Sequence, residues 1–338
     1  MIDPLPPEPA VKANSIKGEL KGLGVVCFGY FRYRNARYGC AEIHQAIQAY
    51  GRRGMNQAKA LSEEAGFRVL HQITDCVLLQ KRGAKRPEIL RLSRAIHRTT
   101  QSPVDIEGHY KWLVLLDSKT HSTDEDEVGV PNRYYGVFQD GELKIRGIEL
   151  RRHSTPPWIQ EAQEGMLGVF AQAQSAAEFR ARVPEALAVA KAAADRLRER
   201  AVRHEDLVLL SRTRQSVEEY RNETPTKVAL RKLRDAGIEL KPGQSVPYIV
   251  TRSQGLPDQR SVPAQLWGRG PFEGGSTYDV EAYLRLLARS IETLLSPLGY
   301  REEPLLEWLA GRRPSPGPEP PRGASSSRRG PPGPGDTL

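Results

Sequence analysis

Cysteine is scarce in this chain, and its three copies, Cys27, Cys40 and Cys76, are odd in number and lack any CxxC spacing. The count excludes a disulfide framework and speaks against a zinc site, so the thiols read as free in a reducing interior. Long apolar runs are missing as well. No stretch of 18 or more apolar residues occurs, and the first residues, MIDPLPPEP, carry no basic-then-apolar leader. Neither a membrane span nor a secretory signal is expected, which points to a soluble, cytoplasmic chain. Internal repeats are lacking, which sets aside solenoids and propellers.

What is present is an ordinary globular composition with a basic bias. Of 338 residues, 38% are hydrophobic and 27% charged, enough to bury a core and to build two domains. Lys and Arg number 50 against 41 Asp and Glu, a net charge of +9. That balance favours a polyanionic partner, nucleic acid before membrane, although many arginine-rich surfaces are merely solvated.

Residues 1–10 are proline-rich and are expected to run extended. Residues 11–24 read as a short helical or turn segment broken by glycines. Between Arg34 and Arg53, Ile43, Ala46, Ile47 and Tyr50 recur at helical spacing. They predict an amphipathic helix ending near Gly51, with helical character resuming over 57–65. Arg82 to Thr100 is a basic helix candidate. Val104 to Leu116 reads as a strand entering a polar loop, residues 121–129, whose acidic run is expected to be solvated. Tyr134 to Arg146 is the clearest hairpin, alternating about Gln139-Asp140-Gly141, and Asp-Gly suits a type I′ turn.

From Ser154 helix dominates. Pro184 is expected to start a new helix within Ala171 to Arg203. Leu207 to Leu210 and Lys241 to Thr251 read as strands, and Pro225 to Ala236 as a helix closing at Gly237. Tyr278 to Leu295 reads as an amphipathic helix capped by Asp279. From Gly311 the Pro/Gly/Ser/Arg-rich tail is expected to be disordered.

The most informative stretch is Phe67 to Gln80, FRVLHQITDCVLLQ. Two apolar runs, Phe67–Leu70 and Val77–Leu79, flank a polar centre, which predicts a tight hairpin with Asp75 raised at its turn. A carboxylate fixed there suits a metal ion; the plainer reading is an Asp that satisfies its own turn. His71 reads as a hairpin-packing residue and Cys76 as a small packing side chain. Phe28, Tyr30, Phe31 and Tyr33 read as core and sheet-face aromatics, and the four tryptophans carry no motif signal.

Together these stretches resemble family B DNA polymerases, over residues 10–310, from the end of the fingers through palm and thumb. Ala13-Asn14-Ser15 with Gly18 is similar to the end of the fingers motif Lys-x3-Asn-Ser-x-Tyr-Gly. Arg34 to Arg53 resembles the palm helix that follows it. His71-Gln72-Ile73-Thr74-Asp75-Cys76 falls on the palm hairpin Tyr-Gly-Asp-Thr-Asp-Ser. Asn132-Arg133-Tyr134-Tyr135-Gly136 lies on Lys-Lys-Arg-Tyr-x-Gly, which grips the primer, and Lys144 to Arg152 follows as KIRGIELRR. Glu219-Tyr220, Thr224-Pro225, Gly243 with Val246 to Thr251, and Tyr278-Asp279 to Tyr283 follow in the order of the thumb's landmarks.

The resemblance implies an α+β fold, a palm of antiparallel sheet with packed helices followed by a mainly helical thumb. Its implied boundaries are 11–153 for fingers remnant and palm, 154–310 for thumb and 311–338 for the tail. It implies nucleotidyl transfer at a two-metal Mg²⁺ site clamped by carboxylates. Asp75 matches the catalytic, metal-binding aspartate of the hairpin, and Asn14, Ser15 and Lys17 fall in the nucleotide-binding motif. Arg133, Tyr134, Gly136, Lys144, Arg151 and Arg152 would contact DNA, with Arg52-Arg53 a further phosphate candidate. Primer–template DNA and a dNTP are the implied partners, with no membrane, and the implied setting is nucleoid-associated.

The departures are as specific as the matches. Ile73 replaces the hairpin's other aspartate, Ala10 the fingers lysine, Lys17 the motif's tyrosine, and Asn132 the lysine that opens the primer-grip Lys-x-Tyr triplet. No Asp-x-x-Ser-Leu-Tyr-Pro-Ser motif occurs, so the second metal-binding carboxylate is absent; Asp3, Asp105, Glu107 and Asp117 lack its sequence context. Two readings follow. One is the palm–thumb portion of a split polymerase, whose second subunit brings the exonuclease domain and the missing carboxylate. The other is a catalytically inactive homologue that keeps a non-sequence-specific grip on DNA.

Overall fold

The computed structural model describes residues 7–117, 129–269 and 277–318. The acidic run expected at 121–129 and most of the C-terminal tail lie outside them. The chain divides into two compact units, Met1–Glu107 and Gly108–Leu338. A compact unit thus ends well before residue 153, because the sheet that follows Gly108 packs with the helices after it.

The first unit begins with α1 (Pro7–Arg32) and α2 (Ala41–Glu64). Helix already occupies residues 7–10, where extended chain was expected. Pro7 and Pro9 fall in the first turn, whose N–H groups have no intrahelical partner to lose. The glycines expected to break residues 11–24 are carried inside α1, since each costs only about 1 kcal/mol and does not by itself end a helix. α2 likewise runs through Gly51 without a break. At the far end of α1, Phe28 stacks on His44 with centroids 4.2 Å apart, and His44 Nδ1 lies 3.1 Å from the Phe28 carbonyl. Phe28, Tyr30 and Phe31 therefore belong to a helix, not to a sheet face, and Tyr33 follows its end.

β1 (Arg68–Ile73) and β2 (Cys76–Gln80) then form a two-stranded antiparallel sheet. α3 (Arg86–Thr100) follows with Pro87 in its first turn. Ala58, Phe67, Leu92 and Ile96 make the small core of this unit, with Val77 and Leu79 packed against it.

The second unit opens with β3 (Tyr110–Asp117), β4 (Gly129–Phe138) and β5 (Leu143–Arg146), an antiparallel sheet in that order. The β4–β5 connection is not type I′, which needs positive φ at two successive residues. Only Gly141 is left-handed, with φ 94°. Its N–H donates to the Phe138 carbonyl at 3.0 Å, and Asp140 Oδ1 accepts from the Glu142 N–H at 3.0 Å. That is a three-residue turn closed by a glycine bulge.

Helices α4 (Pro157–Ala171), α5 (Ala176–Ala181) and α6 (Val183–Arg198) come next, with Pro184 in the first turn of α6, where a new helix was expected. β6 (Leu209–Arg212), α7 (Pro225–Asp235), β7 (Ser245–Val250) and β8 (Ser261–Pro263) form a lobe with its own core of Ala229, Leu230, Leu233 and Val246. α8 (Val280–Leu295) and α9 (Glu302–Leu309) close the unit.

The main core of this unit joins the β3–β4–β5 sheet to α4, α6, α8 and α9. Tryptophans without a motif signal are structural here. Trp158 is 1% exposed, and Trp112 donates from Nε1 to the Ala173 carbonyl at 3.1 Å. The buried Tyr135 hydroxyl donates to the Leu294 carbonyl at 2.5 Å, tying the sheet to α8, and burial pushes its pKa far up. The tail expected from Gly311 is held at its start: Arg312 pairs with Glu281 at 3.0 Å and with Glu307 at 3.0 Å.

Candidate functional site

Two places in the chain carry the residues that the sequence singles out, and each is described within its own unit. In the first, β1 and β2 pair from Arg68↔Gln80 to Ile73↔Cys76, leaving Thr74-Asp75 as a two-residue turn. Thr74 is left-handed at φ 41°, and Asp75 stands exposed at the tip. The polar centre expected across 71–76 is therefore mostly strand. Directly opposed residues share a face, so His71, Ile73, Cys76 and Leu78 lie on one side and Gln72 and Val77 on the other. His71 Nε2 is buried without a hydrogen-bond partner, and burial lowers its pKa, so the ring is neutral near pH 7. Ile73 is 8% exposed.

The residues present do not fit a two-metal clamp by themselves. Among the described residues no group of three or more His, Cys, Asp or Glu side chains comes together that could hold a metal ion. Asp75 therefore belongs to no such group. Asn14, Ser15 and Lys17 fall on α1, and their side chains lie outside the described residues.

The second place is the end of the β4–β5 sheet. β4 pairs with β3 without a shift from Val137↔Trp112 to Tyr134↔Leu115, after which the ladder breaks and Gly129 meets Asp117. The intervening residues bulge, with Asn132 left-handed at φ 59°. Bulges re-aim side chains, and this one turns Arg133 toward the loop after β5. Arg133 Nε donates to the Gly147 carbonyl at 3.2 Å, and Arg152 NH2 approaches the same oxygen at 3.4 Å. Gly147 has φ 67°, and a Cβ there would lie 2.2 Å from the Asn132 carbonyl oxygen, so only glycine fits the crossing.

Glu149 lies between the two guanidiniums. Its Oε1 is 4.0 Å from Arg133 NH2 and 3.8 Å from Arg152 NH1. Surface ion pairs of this kind contribute at most about 1 kcal/mol, so they serve alignment more than stability. Arg151 is exposed beside them, and Lys144 is half-buried on β5 opposite Gly136. Tyr134 is 4% exposed and Gly136 is buried, its backbone close under Trp112 and Leu113. Of the six DNA-contact residues read from sequence, the structure thus brings Arg133 and Arg152 to one point and leaves Arg151 open. It places the Tyr134 ring in the interior.

Sequence reasoning missed the support behind these arginines. Gln163 of α4 is fully buried, donates from Nε2 to Glu149 Oε2 at 3.1 Å and to the Ser290 carbonyl at 2.9 Å, and accepts from the Leu150 N–H at 2.8 Å. Thr293 Oγ1 lies 3.3 Å from Glu149 Oε1. The only local signal was the Glu within KIRGIELRR; its partners lie in α4 and α8, with no sequence cue. Elsewhere in the unit, an open cleft of about 880 Å³ is lined by Arg214, Tyr220, Arg221 and Thr224.

Comparisons with known proteins agree with one another. The model of DNA polymerase family B matches residues 20–298. The DNA polymerase of Archaeoglobus fulgidus is 24% identical over 248 residues, 73% of this chain and 29% of that protein. DNA polymerase 1 of Pyrococcus abyssi is 25% identical over 293 residues, 85% of this chain and 35% of that protein. The solved family B DNA polymerase of the hyperthermophilic archaeon Pyrobaculum calidifontis is similar in fold, with a TM-score of 0.54 at 20% identity. That similarity covers 82% of this chain and 33% of the solved one. The chain spans about a third of the length of the relatives it matches.

Proposed function

Because the chain belongs to DNA polymerase family B, we propose that it is a palm–thumb portion that binds primer–template DNA through Arg133, Arg151, Arg152 and Lys144. The observation that carries this reading is the convergence of Arg133 and Arg152 on the Gly147 carbonyl and Glu149. Fixed guanidiniums on a bulged strand end suit phosphate oxygens, which carry no sequence, so the grip is independent of base identity. The net charge of +9 agrees with a polyanionic partner.

In this reading Asp75 supplies one metal-binding carboxylate for nucleotidyl transfer. Two Mg²⁺ ions in such a site activate the attacking hydroxyl and stabilise the leaving pyrophosphate. The other carboxylate then comes from a second polymerase chain, and Asn14, Ser15 and Lys17 meet the dNTP. A DNA-bound, nucleoid-associated setting in replication or repair follows from the same reading.

A second reading is favoured by one observation: Asp75 joins no group of three or more possible metal ligands among the described residues, and buried Ile73 occupies the neighbouring position of the hairpin motif. It is a DNA clamp without chemistry. Primer extension with Mg²⁺ separates the two, run on the chain alone and with a candidate front-half protein from the same cell. The split-polymerase reading expects no synthesis by the chain alone and synthesis in the mixture, abolished by Asp75→Ala. DNA binding with no synthesis in either case leaves the clamp, and template-directed synthesis by the chain alone overturns both.

A further inference from the structure

We propose that Glu149 is a positioning residue that aims the Arg133 and Arg152 guanidiniums at phosphate, with buried Gln163 setting its orientation. The inference rests on the DNA-binding reading above and adds the reason for a carboxylate on a face meant for a polyanion. A lone glutamate there would repel phosphate. This one stands within ion-pair range of both arginines from Oε1, at 4.0 Å from Arg133 and 3.8 Å from Arg152.

Its own orientation is fixed from behind. Gln163 makes three hydrogen bonds that are consistent with only one placement of its amide: the oxygen accepts from the Leu150 N–H, and the nitrogen donates to Glu149 and to the Ser290 carbonyl. The Glu149 carboxylate is therefore held by α4, approached by Thr293 of α8, and presented to Arg133 of β4 and to Arg152, the residue after the turn Glu149–Arg151. The Gly147 carbonyl supplies the second anchor for each arginine. Two cations packed against one carbonyl would repel each other, and the carboxylate between them offsets that repulsion.

Two accounts of Glu149 make opposite forecasts. If it only adds negative charge to the DNA face, its neutralisation tightens DNA binding. If it aligns the arginines, neutralisation weakens binding although the protein becomes more positive. The test is equilibrium binding of a short blunt duplex to the full chain, over a range of salt, for wild type, Glu149→Gln, the double variant Arg133→Ala/Arg152→Ala, and the triple combination.

The expected result is roughly tenfold weaker binding by Glu149→Gln with a salt slope shallower by about one, the loss of one phosphate contact. In the Arg133→Ala/Arg152→Ala background the same substitution is expected to change nothing. Tighter or unchanged binding by Glu149→Gln, or an equal loss in both backgrounds, overturns the proposal. Should Glu149→Gln fail to fold, Glu149→Asp decides, because it keeps the charge and withdraws it from both guanidiniums. Weaker binding that vanishes in the double-arginine background supports the proposal, and wild-type affinity overturns it. Absence of salt-dependent binding by the wild type would instead contradict the DNA-binding reading itself, a separate outcome.

Discussion

Gly147 shows how much of the candidate interface hangs on single residues. It crosses beneath Asn132 with φ 67°, and its carbonyl receives both arginines. Gly147→Ala forces an L side chain into the left-handed region and against backbone, at a cost of at least about 2 kcal/mol. The expected outcome is a melting temperature lower by several degrees together with weaker DNA binding, read by thermal denaturation and by titration with duplex. Wild-type stability would show that the crossing relaxes without strain. Tyr283 acts at the same scale inside the core, donating to the Leu207 carbonyl at 2.7 Å and accepting from the Val250 N–H at 3.1 Å. One hydroxyl thus fixes α8 against β7.

At the scale of elements, α8 is held by its first residue. Asp279 caps it, accepting from the Ala282 N–H at 3.0 Å, and also accepts from the Ser253 N–H at 2.7 Å and hydroxyl at 2.6 Å. Partial burial works against the charge, but the hydrogen bonds from Ser253 and Ala282 outweigh it and hold the pKa below its ordinary 3.8. A depressed carboxylate adds stability that is fully present above the unfolded pKa and is lost as pH falls below it toward the folded value. Asp279→Ala is expected to cost about 1 kcal/mol at pH 7 and to flatten the acid limb of the stability profile below pH 3.8. A variant that keeps the wild-type acid limb would remove Asp279 from this role.

The elements also separate what is legible in sequence from what is not. The Asp75 hairpin, the start of α6 around Pro184 and the Asp279 cap were readable because their signals are local. Residues 7–24 are helical against their proline and glycine content, because the prolines fall in a first turn and the glycines only weaken the helix. The periodicity of Ile43, Ile47 and Tyr50 correctly gave a helix, yet these side chains are 44%, 43% and 75% exposed, while His44 is buried. Period tells that a face is apolar and does not tell what covers it. The Glu149–Gln163–Ser290 network was invisible, since Gln163 and Ser290 stand 127 residues apart in the chain.

For the molecule as a whole, the family is fixed by a match that runs through both units, from residue 20 to 298. The chemistry is distributed less evenly. The first unit carries one exposed carboxylate on a hairpin, and the second carries a braced pair of arginines on a strand end. Among the described residues no helix is long and apolar enough to cross a membrane, and no acidic cluster completes a metal site. The braced arginines are thus the feature on which the binding proposal stands.

The most direct measurement is the affinity of the full chain for primer–template duplexes of unrelated sequence as salt is raised. A phosphate grip predicts log affinity falling linearly with log salt at nearly one slope for every sequence, each lost arginine contact reducing that slope by about one. Affinity that ignores salt, or that depends strongly on base sequence, would contradict the account.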